Sequence, residues 1–250
     1  MYHVPDEEEI LGALARLKRH KAPGPRSGLS VDVLKDWAEQ GGEMWQKVVA
    51  LVQWCIETGE VPQSFMYGAL VLIPKAEEGM YRGIALLESV YKLISGLINH
   101  RVTASVQYHD SVHGFRTGRS CSTAIPEAKL VEMQRTRMAG KVYYQVFLDL
   151  CKAYDTVDRD RLRLVLQAYG IGPRLLRFLD NSWEGSGVVP RKLGRCGRNL
   201  IRTDRGVKQG DIPHPISYLF QPSGGFGDTS GRGIEAAGRC WGREGGILCR

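Results

Sequence analysis

The side chains best suited to chemistry in this chain gather around Tyr143–Val157, YYQVFLDLCKAYDTV. Tyr144, Val146, Leu148 and Leu150 alternate with Tyr143, Gln145, Phe147 and Asp149, which is the period-two signature of a strand with two distinct faces. One face is apolar apart from a tyrosine hydroxyl, and the other ends in the Asp149 carboxylate. Burying a charge at the end of such a strand is costly unless it is paired or binds a metal. A turn follows, with the small Ala153, the aromatic Tyr154 and a second acid, Asp155. On pattern alone Asp149 serves equally well as a surface carboxylate at a strand end. A second candidate is cationic. The loop from His113 to Ser120, HGFRTGRS, carries Arg116 and Arg119 into a helix that Ser120 or Ser122 can cap. A basic loop at a helix N-terminus suits nucleic-acid phosphate.

The elements that must hold these residues can be read in order. Acids at 6–9 open a helix with Ile10, Leu11, Leu14 and Leu17 as its apolar stripe. Lys21–Gly28, KAPGPRSG, is a rigid Pro/Gly turn. Ser30 caps the next helix, Gly41-Gly42 ends it, and Glu43–Thr58 forms another with Trp45, Val48, Val49, Val52 and Ile56 on its buried side. ALVLIPK, residues 69–75, is a β-rich run ending at Lys75; Tyr81–Leu87, with Arg82, leads into a long helix reaching Arg101. The helix after Ser120 contains Pro126, tolerable in a first turn and disruptive further in. Asp158 caps a helix through Leu166 and Tyr169, Gly170–Pro173 turns, and Leu175–Trp183 is helical. Val188-Val189 and Asn199–Ile201 read as hairpin strands across a Gly/Arg loop.

Composition narrows the class. The chain carries a net charge of +7 and is 43% hydrophobic, enough for one or two domains with a real core. Residues 1–100 hold 10 Lys and Arg against 13 Asp and Glu, whereas residues 101–250 hold 24 against 14. The basic half is thus the half with Asp149, as phosphate binding requires. No apolar run suffices to span a bilayer, and six cysteines without a C-x-x-C pair read as free thiols of an intracellular protein.

FLDLCKAYDTV resembles the first catalytic motif of reverse transcriptases of the non-LTR, LINE-like retrotransposons and their group II intron relatives. Four further segments fall in that family's order: KAPGPRSG, the pair IPK and YRGIALL, HGFRTGRS, and RGVKQGDI at 205–212. The resemblance implies an α/β (α+β) fold of fingers and partial palm, an antiparallel sheet with packed helices. It gives a helical extension at 1–65, fingers at 66–142, partial palm at 143–220 and a disordered Gly-rich tail at 221–250. It implies that Asp149 binds catalytic Mg²⁺ and that Tyr154 closes off the space of a ribose 2′-hydroxyl. Lys75 and Arg82 would hold the triphosphate of the incoming nucleotide, roles that suit a compact ammonium and a planar guanidinium fork. Gln209 and Gly210 would pack beneath nucleotide and template base, where glycine permits close approach, and Arg116 and Arg119 would contact nucleic acid. The implied partners are an RNA template, a DNA primer and dNTPs, with no membrane.

The sequence also departs from the pattern. Arg26-Ser27 replaces the usual acid of the Pro/Gly turn, and Gly83 replaces the usual proline. Beyond Ile212 the stretch Pro213–Tyr218 keeps only the echo of a Pro and an aromatic, and no Asp-Asp dipeptide occurs anywhere. Two-metal phosphoryl transfer needs clustered carboxylates, and Asp155 does not occupy the position of a principal ligand in the family. The expectation is a reverse transcriptase fragment that is inactive alone; the alternative is a non-catalytic nucleic-acid-binding remnant or a pseudogene product. Residues 223–230, SGGFGDTS, can be encoded so that a start one nucleotide later reads Val-Val-Asp-Ser-Val-Ile-Arg-Ala, like the helix that follows the Gln-Gly motif in related enzymes. This points to a frameshift between Ile212 and Ser223.

Overall fold

The computed structural model describes residues 3–76, 78–105, 112–114, 116, 118–138, 140, 142, 144–147, 154–192, 195–197 and 199–208. Asp149, Gln209, Gly210 and the Gly-rich stretch 221–250 lie outside them. The described residues fall into two units, one drawn from Met1–Val106 with Tyr154–His214, the other from Gln107–Ala153.

Six helices of the first unit follow their caps. Helix α1 (Glu7–Arg16) starts where the Asp6 carboxylate accepts from Glu9 N at 2.8 Å. Ser30 does the same for α2 (Val31–Gln40), which Gly41 ends at φ 64°. Helix α3 (Glu43–Thr58) ends at Gly59 with φ 75°; α4 is Ser89–Ser105. Asp158 caps α6 (Arg159–Ala168), and Pro173 opens α7 (Pro173–Trp183) at the first-turn position it favours. Ile10, Leu34, Trp45, Val52, Leu93, Ile94, Leu97 and Phe178 are essentially fully buried and form the helical core. Tyr91 sits between Phe65 and Phe178, with ring centroids 6.0 and 6.2 Å away. None of the described helices is long and apolar enough to cross a membrane.

A five-stranded sheet is inserted between these helices in sequence. Strand β1 (Tyr67–Pro74) pairs antiparallel with β2 (Tyr81–Leu86) and parallel with β3 (Gly187–Lys192). Strands β4 (Arg195–Cys196) and β5 (Ile201–Arg202) both pair antiparallel with β3, and the order is β2-β1-β3-β4 with β5 on β3. The fold is therefore mixed α/β, and the hairpin read from Val188-Val189 and Asn199–Ile201 is present through the Val188–Ile201 pairing. The β1–β3 junction is parallel rather than antiparallel. The chain returns to β1 only after more than a hundred residues, so no tight turn dictates the direction.

In the second unit, α5 (Cys121–Met133) starts from Ser120, which forms a capping box with Thr123. Pro126 lies six residues beyond the cap, past the first turn, and the helix continues through it into a π-helical turn, Gln134–Met138. Of the alternating run expected as a strand, Tyr143 and residues 148–150 lie outside the described residues, and 144–147 are not in a strand. These residues pair with no strand among the described residues, and Tyr144, Val146 and Phe147 are exposed. Period-two alternation supplies two faces, but a strand also needs a neighbour to take its backbone hydrogen bonds.

Candidate functional site

The β1–β2 ribbon presents Lys75 and Arg82. Its register pairs Ile73 with Arg82 and Pro74 with Tyr81, and Lys75 N donates to Met80 O at 2.8 Å to close the ladder. Lys75 lies two residues beyond Ile73, so period two puts it on the face that carries Arg82. Both side chains are exposed, and among the described residues neither has a carboxylate partner. Gly83 stands opposite Leu72, and a Cβ there would come within 3.0 Å of Leu70 Cδ1.

The Pro/Gly turn grips the open end of this ribbon, where β1 begins and β2 has just ended. Arg26 N donates to Glu88 Oε1 at 2.8 Å, and the Ser27 amide and hydroxyl donate to the same carboxylate. Glu88 is 1% exposed, two residues beyond β2. The Arg26 guanidinium lies 5.1 Å from the centroid of the Tyr67 ring, at the first residue of β1. Ser89 Oγ donates to Leu29 O at 2.6 Å. Gly24 fits against Glu88 so closely that a Cβ would sit 2.7 Å from the Glu88 Cα. One turn along, burial pushes the Lys92 ammonium below its ordinary value, and the Glu88 charge opposes that shift. Sequence reading missed Glu88. Its signal was a lone acid in the apolar stretch ALLESVY.

The turn following the Asp149 motif is locked to the segment preceding Gln209. Val207 N donates to Tyr154 O and Gly206 N to Val157 O, both at 2.9 Å. Gly206 has φ 80°, and a Cβ there would lie 2.7 Å from Tyr154 O and 2.8 Å from the Asp155 backbone, so only glycine fits. Arg159 completes the joint: its Nε donates to Gly206 O at 2.8 Å, Nη1 to Trp183 O at 3.2 Å and Nη2 to Thr203 Oγ1 at 3.4 Å. Asp158, which accepts from Arg161 N, is held below the ordinary carboxylate range chiefly by that bond. Lys208 Nζ donates to Met66 O at 2.5 Å, one residue before β1, tying this joint to the ribbon. Tyr154 is half-buried. Two motifs some fifty residues apart in sequence thus meet, and Arg159, unremarkable in sequence, joins them.

In the second unit, Arg119 N donates to Arg116 O at 3.1 Å and Arg119 Nη1 to Glu127 Oε2 at 3.4 Å. His113, 2% exposed, reaches Thr123 Oγ1 through Nδ1 at 2.8 Å and Glu127 Oε2 through Nε2 at 2.9 Å. The basic loop is folded onto its own helix by a buried histidine and a glutamate that the sequence reading did not single out. Arg116 and Arg119 are both half-buried.

Asp149, the expected Mg²⁺ ligand, lies outside the described residues, as do Gln209 and Gly210. Among the described residues no group of three or more His, Cys, Asp or Glu side chains is placed to hold a metal ion. The described residues do not by themselves fit a magnesium site. A cavity of about 500 Å³ opens at the α6–α7 turn, lined by Arg163, Gln167, Arg177, Asp180 and Asn181 among others. Arg163 is paired with Asp180 at 2.9 Å there, and none of the residues predicted for the site lines it.

The family model for reverse transcriptase (RNA-dependent DNA polymerase) matches residues 73–221. The chain is 24% identical over 208 residues to the Retrovirus-related Pol polyprotein from type-2 retrotransposable element R2DM of Drosophila melanogaster, covering 82% of this chain and 19% of that protein. It is 27% identical over 194 residues to the Retrovirus-related Pol polyprotein from type-1 retrotransposable element R2 of Popillia japonica, covering 72% of this chain and 27% of that protein. It is 26% identical over 212 residues to the Transposon TX1 uncharacterized 149 kDa protein of Xenopus laevis, covering 81% of this chain and 16% of that protein. The chain therefore spans between 16% and 27% of the length of these relatives. With a ribbon that presents two cations and a glycine-locked joint between the Tyr154 turn and the segment before Gln209, and with the family model matching more than half of its length, this chain belongs to the reverse transcriptase (RNA-dependent DNA polymerase) family, on its non-LTR retrotransposon side.

Proposed function

We propose that this chain is the fingers and first part of the palm of an RNA-directed DNA polymerase from a non-LTR element, built to receive a dNTP and a primer–template and unable to extend a primer alone. In this reading Lys75 and Arg82 hold the triphosphate, a point charge and a planar fork on one ribbon face. Tyr154 bounds the sugar, Gln209 and Gly210 back the base, and Arg116 and Arg119 contact nucleic-acid phosphate. Asp149 is the metal-binding carboxylate, and Mg²⁺, when bound, would neutralise charge on the transferring phosphoryl group. The domain division is fingers at 66–142 and partial palm at 143–220, preceded by a helical extension at 1–65.

The observation that carries the reading is the joint at Gly206. Backbone hydrogen bonds of 2.9 Å hold the Tyr154 turn against the segment leading to Gln209, two parts that must act on one nucleotide. Inactivity of the chain alone follows from the absence of an Asp-Asp pair, since one carboxylate does not hold two metal ions. The test is primer extension by the purified full chain with RNA template, DNA primer, dNTPs and Mg²⁺ or Mn²⁺, beside an Asp149→Asn control. No extension by either protein is the expected result, and extension by the unaltered chain above the control overturns it.

A further inference from the structure

We propose that Glu127 is a built-in competitor for phosphate: its carboxylate holds Arg119 until a phosphodiester of the nucleic acid displaces it, and so it sets the affinity of the basic loop. This rests on the family reading for the role of Arg119; the competition itself comes from the contacts within the second unit. Between Val112 and Met138 the only acids are Glu127 and Glu132. Glu132 is taken by Lys129 at 2.8 Å, so Glu127 is the acid left to face the loop.

Glu127 is anchored from its other side. Thr123 and Glu127 stand four residues apart and share one face of α5. The buried His113 ring reaches both, Thr123 Oγ1 at 2.8 Å and Glu127 Oε2 at 2.9 Å. Arg119 Nη1 shares that same oxygen at the longer distance of 3.4 Å. The histidine contact is the tighter and the more buried of the two, with the His113 side chain 2% exposed against 32% for Arg119. Arg119 is therefore the partner that can leave while the carboxylate stays.

The exchange needs no backbone movement. Gly118 at φ 75° turns the chain, Arg119 N is fixed on Arg116 O at 3.1 Å, and Ser120 begins the cap of α5. Only the Arg119 side chain has to swing. Carboxylate and phosphate oxygens take the same guanidinium donors, and a phosphate can take two of them in parallel. Glu127 takes one Arg119 nitrogen, on one oxygen, at a length where hydrogen bonds are already weak. The Glu127 side chain is 43% exposed, so incoming phosphate can reach the pair. A carboxylate that served only to fix the loop would instead strengthen binding by ordering the arginine.

The test measures binding of a labelled DNA duplex to the full chain by fluorescence anisotropy over a series of salt concentrations. Glu127→Gln keeps an acceptor for His113 and removes the charge that holds Arg119. Glu132→Gln makes the same charge change on the same helix and frees Lys129 instead. Circular dichroism confirms that each variant is folded. Glu127→Gln should bind about two- to fivefold more tightly, the range in which an exposed ion pair competes. Its slope of log K against log salt should steepen by up to about 0.9. Glu132→Gln should change little, and in an Arg119→Gln background Glu127→Gln should bring no gain. If Glu127→Gln loses its helical signal, Glu127→Asp replaces it: the charge stays but draws back from Arg119, and binding should again tighten, by less. Unchanged or weaker binding in the folded Glu127 variant, beside a salt-dependent wild type, overturns the competition and leaves the family reading intact. Equal gains from Glu127→Gln and Glu132→Gln show a response to net charge alone and overturn it too. A gain that survives in the Arg119→Gln background assigns the effect to another cation and overturns it as well. A wild type that binds no duplex overturns both readings.

Discussion

At the residue scale, Glu88 is the side chain on which the ribbon's base depends. The related pattern carries an acid in the Pro/Gly turn; this chain has Arg26-Ser27 there, and the carboxylate that receives the turn stands across from it on Glu88. A buried carboxylate that accepts from two amides and a hydroxyl cannot be replaced by an amide without turning a donor against donors. Glu88→Gln is therefore expected to destabilise the protein by about 1–3 kcal/mol, read as a lower urea midpoint. An unchanged midpoint would show that these hydrogen bonds to the loop carry no net weight. Cys55 obeys a simpler rule: full burial pushes its thiol up to about 12, so it stays protonated at neutral pH.

At the element scale, α1 is clasped to α4 through one ion pair. Arg101 donates from Nε and Nη2 to Glu9 at 2.6 and 2.5 Å and from Nη1 to His3 O at 2.9 Å, with its side chain 5% exposed. Hydrogen bonding from Arg101 holds the Glu9 carboxyl below its ordinary value, against a smaller opposing effect of burial. A depressed carboxyl stabilises the folded chain above its unfolded value, roughly pH 4.3, and that contribution is lost as pH falls through the lower folded value. Urea midpoints of the wild type should exceed those of Glu9→Gln at neutral pH, with the gap closing in acid below that point. A gap that stays constant down to the acid limit would mean that the clasp is not electrostatic. Because α4 directly follows β2 and Glu88, the clasp also fixes the helix that positions the candidate site.

At the scale of the whole molecule, the family match and the glycine pattern divide the chain at nearly the same place. The matched region ends at residue 221, and the last 30 residues, 221–250, hold 9 of the 30 glycines. Glycine at that density opposes a helix, whereas the shifted reading of 223–230 gives a helix-like apolar pattern. We propose a frameshift between Ile212 and Ser223 as the common origin of both. Sequencing the gene should show, in the shifted frame, a continuation without early stops and a Y-x-D-D motif within the following few dozen codons. An immediate stop in that frame, or no such motif, refutes the frameshift.

The sequence by itself determined the helices, the β-ribbon and the family. Caps such as Asp6, Ser30 and Asp158 and the breaks at Gly41 and Gly59 act over a few residues, so their effect is written locally and appears unchanged in the structure. It also marked Lys75 and Arg82, because a motif lists residue types in order. What only the tertiary structure decided were the meetings between distant residues. Glu88 with the turn at 24–27, Arg159 with Gly206, His113 with Glu127 and the parallel β1–β3 register all depend on where the chain returns. The alternation at 144–147 marks the same boundary from the other side. Its pattern specifies faces, but a strand exists only when another backbone is there to pair with it.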